Sequence, residues 1–600
     1  MNPFRESIVS DPWRASAADV PEIQASVFLE CLQGVEHVRR TNRSAALLIH
    51  GGAGSGKTHL LGRLRTQLTL QAPTATDRDE CLFVWVRLQT SPRMIWRHVR
   101  RTLVEDWFRP VRGQSTQFAR ILFRRFAGIR VAEGDLEPWY EYMLDHHPEG
   151  LDELLEQVAD SLYLDRNTTI AFKHLAFGRH TRDLRAWLGG DSLPEQALAR
   201  LDLSQEEGTD EEREHEARRV VLMLCRLAGN DLPVVLSLDQ VEALQTSSAD
   251  REGLFAFGQL ASTLHDETSN VLIVSCVQSA FATELKDKSR GADYDRMTSL
   301  GARSLTTLTR VEAGKLIAAR RANADSVPPL PQPLDALWPL EVADFHRLAA
   351  VDELTPRRLL STCAERFDIW SAKSMLPGIA DEASDKVESS AGSTNDRKFS
   401  IDAFLSDEWK ERNERLLAAN LPERTEEIVR HGLPLLMTLM GSQWKSTSDE
   451  QLPDVHLILD GPTGEVGISV CVQSNMRNMG DQFKRLKAQF SLNRLTRLVI
   501  IQDDRVPLTK AAKVARQSLE ELQDLGAIVS LPSQQVLAGL DALRDLLSDA
   551  KSGDLAFHGE NVLPQATEAW LAKHLPEVLR KYVEDLTAAD GPPQADDARR

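Results

Sequence analysis

At 600 residues, 42% hydrophobic and 27% charged, the chain falls in the ordinary range for globular protein and is long enough for about three to five domains, each with its own core. No apolar run approaches the ~20 residues that span a bilayer, the opening MNPFRESIVSDPWR has no signal-peptide core, and Cys31, Cys81, Cys225, Cys276, Cys363 and Cys471 lie far apart with no C-x-x-C pair; the expectation is a cytoplasmic protein with reduced thiols, no zinc site and no membrane partner. The net charge of −18 disfavours nucleic acid as a partner of the whole chain, so any such contact has to come from a local basic patch.

In chain order, DVPEIQASVFLECLQGVEHVRR reads as an amphipathic helix leading into AALLIH (Ala45 to His50), an apolar strand. GGAGSGKT follows, from Gly51 to Thr58, and HLLGRLRTQL reads as the next helix. The stretch fits G-x-x-x-x-G-K-[ST]: backbone N–H groups across Gly51, Gly52, Ala53, Gly54, Ser55 and Gly56 can cradle phosphates at a helix N-terminus, Lys57 reaches the β and γ oxygens, and Thr58 ligates Mg²⁺. CLFVWVRL (Cys81 to Leu88) is a second strand, and residues from about 91 to 230 read as a helical insertion. LPVVLSLDQVEAL then delivers Asp239 at the carboxyl end of a buried strand, where a carboxylate can hold Mg²⁺. NVLIVSCVQSAF adds a strand, and SLTTLTRVEAGKLIAARR adds a short strand with a helix, so residues 1–325 are expected to form a parallel αβα sheet.

Residues 326–375 turn helical and are expected to form a lid, and 376–400 read as a Gly, Ser and acid-rich linker. From 401 to 587, helices up to Met440 precede the strands of PDVHLILDG, GEVGISVCVQ, LTRLVIIQDD and GAIVS, which predicts a separate α/β domain; 588–600 read as a disordered tail. Two basic patches stand out. One gathers eleven arginines (Arg87, Arg93, Arg97, Arg100, Arg101, Arg109, Arg112, Arg120, Arg124, Arg125 and Arg130) against Glu105 and Asp106. The other, from Arg477 to Arg516, holds ten basic residues against Asp481, Asp503 and Asp504 and centres on Lys484, Arg485, Lys487 and Arg494. Both are candidate footprints for a DNA backbone.

GGAGSGKT, LSLDQ, LIVSCVQ and TPRRLL, in this order, resemble the AAA+ P-loop ATPases, nearest the origin-recognition and STAND-like groups, over roughly residues 20 to 370. FGRHTRDLRAWLGGDSL resembles the helical insert of ATPases from bacterial anti-phage loci such as BREX systems. The resemblance implies ATP and Mg²⁺ as cofactors, Ser275 or Gln278 at the sensor-1 position, Arg357 at sensor 2, Arg296 or Arg303 as an arginine finger offered within a homo-oligomer, and other proteins of a defence complex as partners. One residue departs from the pattern. Gln240 stands where these ATPases carry Glu; an amide can orient water but cannot take its proton, which implies slow hydrolysis unless Glu242, the nearest carboxylate, substitutes.

In the carboxyl domain, Pro453-Asp454, the turn from Gly461 to Gly464 and ISVCVQ resemble the PD-(D/E)xK nuclease core, with Cys471-Val472-Gln473 where E-x-K belongs. That implies a restriction-endonuclease-like fold kept for binding rather than cutting, with Glu465 as a candidate surviving ligand. Two functions follow as expectations: an ATP-switched DNA-binding component of an anti-phage or DNA-maintenance complex, or a STAND-type assembly switch that binds protein.

Overall fold

The computed structural model describes residues 2–4, 13, 19–69, 71, 80–88, 91–112, 115–127, 136–205, 208–229, 232–245, 251–322, 336–350, 354–375, 401–419, 422–441, 445–447, 452, 454–461, 464–473, 475–491, 495–508, 512–557 and 560–587. The expected linker 376–400 and tail 588–600 lie outside these residues.

The first half is built on strands β1 (Ala45–Gly51) and β2 (Leu82–Arg87), a small ribbon of β3 (Pro110–Arg112) and β4 (Ser115–Thr116), then β5 (Val234–Asp239), β6 (Val271–Gln278) and β7 (Ala302–Ser304). Five of them form one sheet in the order β2-β5-β6-β1-β7, every pair parallel. All of β5 is buried and so is almost all of β6, as continuous apolar strands covered on both faces should be. Register brings Arg87 opposite Asp239 and Gly51 opposite Gln278, and with Leu238 opposite Ser275 β6 and β1 run about two residues beyond the ends of β2 and β5.

One face is covered by the helices Ala25–Thr41 and Lys57–Leu68, where Val27, Cys31, Val35 and Val38 recur at helical spacing. The other joins a core shared with the helices between β2 and β5, among them Ile95–Trp107 and Asp210–Ala228. The latter opens with Thr209 and Glu212 in a reciprocal capping box. The insertion is therefore helical as expected, apart from the unpredicted ribbon β3–β4, and it shares the sheet's core instead of standing off from it. Helices Arg310–Ala322, Val342–Ala350 and Pro356–Met375 form a further apolar cluster around Ile317, Leu359 and Cys363.

The second half holds β8 (Lys445–Thr447), β9 (Leu457–Gly461), β10 (Gly464–Val470), β11 (Arg497–Ile501) and β12 (Ile528–Ser530) in the order β12-β11-β10-β9-β8, with a short ribbon of β13 (Ala556–Phe557) and β14 (Glu560–Asn561). The pairs β8–β9 and β9–β10 are antiparallel; β10–β11 and β11–β12 are parallel. Cores on its two faces make it a domain with its own packing. The edge strand β8 is too short to have shown an alternation in the sequence.

Separate in its core, this domain is nonetheless docked on the first. Arg87 meets Asp549 at 2.8 Å, Arg101 meets Glu427 at 3.8 Å, Arg97 meets Glu426 at 3.7 Å, and Arg430 pairs with Asp210. The first arginine patch is consequently a correction to the sequence reading. Arg93 pairs with Glu252, Arg109 with Asp106, and Arg120 and Arg124 with Glu80, while Arg100 and Arg125 donate to the carbonyls of Leu188 and Leu227. Most of the acidic partners lie outside the stretch, Asp106 excepted, so much of the local excess of charge is met by other parts of the protein. The side chains of Arg112 and Arg130 lie outside the described residues. Among the described residues, no helix is long and apolar enough to cross a membrane.

Candidate functional site

The carboxyl end of β1 passes into the helix Lys57–Leu68 through a loop that needs glycine. Gly54 and Gly56 have φ of 72° and 98°, and a Cβ on Gly54 would meet Cβ of Arg357 at 2.6 Å. Gly51 is equally constrained by space, since a Cβ there would meet Ser55 Oγ at 2.6 Å. Lys57 Nζ folds back to donate to the carbonyls of Gly51 at 3.0 Å and Gly52 at 3.1 Å. The buried Ser55 hydroxyl has no hydrogen-bond partner among the described residues.

Beside this loop, Thr58 Oγ1 donates to Asp239 Oδ2 at 2.9 Å, and the indole Nε1 of Trp85 reaches the same oxygen at 3.3 Å. Burial pushes the Asp239 carboxyl upward and the neighbouring Asp554 carboxylate adds to the effect, against Thr58, Arg87 and Lys57. A carboxylate paired with a hydroxyl and an indole, with no bidentate cation of its own, has capacity left for a metal. Glu242 lines the same cavity, and burial pushes its carboxyl up to about 7.

Gln240 adopts a left-handed φ of 54° and is held at both ends of its amide. Arg87 Nε donates to its Oε1 at 2.9 Å, which fixes the amide orientation, and its Nε2 donates to Asp554 Oδ2. Arg357 closes the other side. Its backbone N–H reaches the Gly54 carbonyl at 3.4 Å, its Nη2 donates to Asp554 Oδ1 at 2.7 Å, and its Nη1 donates to the Gly553 carbonyl. The buried Nε of Arg357 has no partner among the described residues. Val20, Ile23, Leu316 and Leu360 complete an apolar end of the cavity.

Gly54, Ser55, Gly56, Lys57, Thr58, Asp239, Gln240, Glu242 and Arg357 thus share one cavity. Gly51 and Gly52 supply the carbonyls that hold Lys57, and Ala53 faces Gly553. Four other candidates lie elsewhere. Ser275 is buried in β6, level with Leu48 and Leu238, and is not among the cavity's lining residues because it sits short of the strand end. Gln278 is at that end, where its Nε2 donates to the Lys551 carbonyl at 3.0 Å. Arg296 pairs with Asp266 at 2.6 Å and Arg303 pairs with Glu30, and neither lines the cavity.

Asp554, Gly553 and Arg87 carried no signal for this site in the sequence. Asp554 belongs to a turn more than 300 residues beyond Asp239, and only the docking of the second domain brings it there.

The corresponding region of the carboxyl domain differs. Asp454 is buried and accepts two hydrogen bonds from Arg485, both at 2.9 Å. Burial pushes the Cys471 thiol up to about 12, and Gln473 donates to Gln482 at 3.3 Å. Glu465 pairs across β9–β10 with Asp460 and, at ~3.3 Å per residue, lies roughly 20 Å along the strand from Cys471, so it cannot join Asp454 in a metal site. Pro453 lies outside the described residues.

No protein-family model matches this chain, and no curated protein matches it either.

Proposed function

We propose that the chain is an ATP-binding protein of the AAA+ P-loop type that hydrolyses ATP slowly when alone and works as a nucleotide-operated interaction switch. The observation that carries this reading is the convergence of Lys57, Thr58 and Asp239 with Arg357 around a loop in which Gly51 and Gly54 leave no room for a side chain and Gly54 and Gly56 have positive φ. Unpartnered Ser55 Oγ and Arg357 Nε suit a phosphate-bearing ligand, since buried donors are rarely left unmade. Thr58 and Asp239 would hold Mg²⁺, which supplies positive charge against the phosphates when bound. Lys57 adds a cation for the β and γ oxygens, and the apolar wall of Val20, Ile23, Leu316 and Leu360 suits a base. Gln240 can orient water but not accept its proton.

The assembly-switch form is favoured because the arginines around Arg97 are engaged within and between the two domains. DNA binding through the carboxyl domain is a second reading, supported by Lys484 and Lys487, whose side chains are 55% and 41% exposed. A role in an anti-phage complex is what the insert's resemblance implies; co-purification of partner proteins with the tagged chain tests it. The core proposal is tested by Lys57→Ala, which should weaken ATP binding at least about 100-fold through loss of charge-assisted hydrogen bonds. Unchanged binding by calorimetry would remove the nucleotide reading.

A further inference from the structure

The turn that ends the helix Gln534–Ser552 reaches across to the first domain at several points. Gly553 caps the helix with φ 69°, and a Cβ on it would meet Cβ of Ala53 at 2.5 Å. Glycine is required there twice over, for the left-handed backbone and for the close approach to the loop. Asp554, next in the chain, places one carboxylate oxygen on Arg357 and the other on Gln240. Lys551 gives its carbonyl to Gln278, and Asp549 pairs with Arg87. The turn therefore touches the loop after β1 and the carboxyl ends of β2, β5 and β6.

Arg357 and Gln240 are donors on the wall of the cavity that holds Lys57, Thr58 and Asp239. An anion on those donors is chemically what the terminal phosphate of a nucleoside triphosphate would be. Resting on the nucleotide reading above, we propose that Asp554 is the residue by which this site discriminates ATP from ADP. Its carboxylate stands in for the γ-phosphate, so the docked chain accepts ADP, whereas ATP has to displace Asp554 from Arg357 and Gln240. Two anions cannot share those donors without strong repulsion in so buried a place. Displacing Asp554 moves Gly553 off Ala53 and strips the latch from Gln278 and Arg87, so triphosphate binding is coupled to release of the carboxyl domain. The reciprocal follows from linkage: whatever holds the domain docked weakens ATP binding and spares ADP. The rival role for Asp554, general base for hydrolysis in place of Gln240, predicts a loss of turnover with affinities unchanged.

The test uses the full-length protein, titrated calorimetrically with Mg²⁺–ADP and with a Mg²⁺–ATP analogue that cannot be hydrolysed. Asp554→Ala should tighten the ATP analogue by about tenfold or more relative to wild type while ADP stays within about twofold. Asp554→Asn, which keeps the shape and removes the charge, should move the ratio the same way and guards against a folding defect in the alanine variant. In wild type, the ATP analogue but not ADP should speed hydrogen exchange across residues 549–555. If nucleotides bind and the ATP-to-ADP affinity ratio is the same in wild type and both variants, the inference is overturned while the nucleotide reading stands. If no nucleotide binds to any of the three, the nucleotide reading itself fails and takes the inference with it.

Discussion

Asp239 and Asp454 are both buried acids beside sheet strands, yet they are held by different partners. Asp239, at the end of β5, meets a hydroxyl at 2.9 Å and an indole at 3.3 Å, and burial leaves its carboxyl raised. Asp454, preceding β9, is clasped by both arms of Arg485. A metal could be added at the first without evicting a cation; at the second, the guanidinium already fills that role. The first site also keeps unsatisfied donors in Ser55 and Arg357. The first pocket leaves donors open, whereas the second closes its acid with a side chain of its own.

The contrast can be broken most forcefully at the seam between the domains. His456 is buried and uses Nδ1 to accept the N–H of Val470 at 2.7 Å; burial, with Arg430 nearby, pushes its pKa down to about 4, against the opposing pull of Glu426 and Asp210. Its folded pKa lies below the unfolded value of about 6.5, so the unfolded chain takes up the proton first as pH falls. Stability is fully present above about 6.5 and lost between there and about 4, amounting to about 2 kcal/mol by pH 5 from this residue. Thermal melts at pH 7 and pH 5 should show this loss, and His456→Gln, which can still accept from Val470, should flatten it. An equal pH slope in the variant would mean that His456 is not the titrating group. Glu427 belongs to a lower window. Burial opposes its charge, but Arg544 and Arg424 outweigh it and hold the carboxyl well below its usual range, so its contribution disappears only below about pH 4.5.

Asp454→Ala tests the closed site. The substitution leaves Arg485 without its partner and should cost about 1–2 kcal/mol, less than a fully buried pair because the arginine side chain is 41% exposed. Plasmid incubated with Mg²⁺ or Mn²⁺ should stay intact with wild type and variant alike. Cleavage by wild type that vanishes in the variant would reopen the site as a nuclease.

How much of this was legible in the sequence follows from where each signal was stored. Continuous apolar strands and the glycine spacing of the loop are local, so β1, β5, β6 and the grouping of Lys57, Thr58 and Asp239 could be read directly. Arg357 was reachable only through resemblance. Ser275 was misplaced because a polar residue inside a buried strand looks the same in sequence as one at its end. Arg87 and Arg101 read as part of a patch because their partners Asp549 and Glu427 lie hundreds of residues away. Asp554 was invisible for the same reason: its role depends on the docking of two domains.

Gln240→Glu sharpens the comparison from the open side. The new carboxylate keeps Arg87 as a partner but faces Asp554, which the amide now satisfies. Hydrolysis should rise several-fold through restoration of a base, accompanied by looser docking visible as faster proteolysis near residues 549–555. Phosphate release at the wild-type rate would point instead to Glu242, whose carboxyl at about 7 suits a base near neutral pH.

The smallest effect is expected on the exposed face of the carboxyl domain, where Lys484 pairs with Asp481 and Lys487 with Glu521, both at 2.8 Å. Exposed pairs of this kind contribute about 0–1 kcal/mol, so they neither stabilise the fold much nor prevent the lysines from turning to phosphates. That separates this patch from the arginines around Arg97, which are held between the two domains. If the carboxyl domain binds DNA, Lys484→Glu with Lys487→Glu should weaken all duplexes alike and flatten the dependence of log affinity on log salt by about one unit per lost phosphate contact. The melting temperature should barely move, because only surface pairs are exchanged. Fluorescence anisotropy with a labelled duplex at two salt concentrations measures both quantities. An unchanged salt slope would leave this face without a nucleic-acid role, and the assembly switch would then account for both basic patches: one as the interior of the docked domains, the other as ordinary solvated surface.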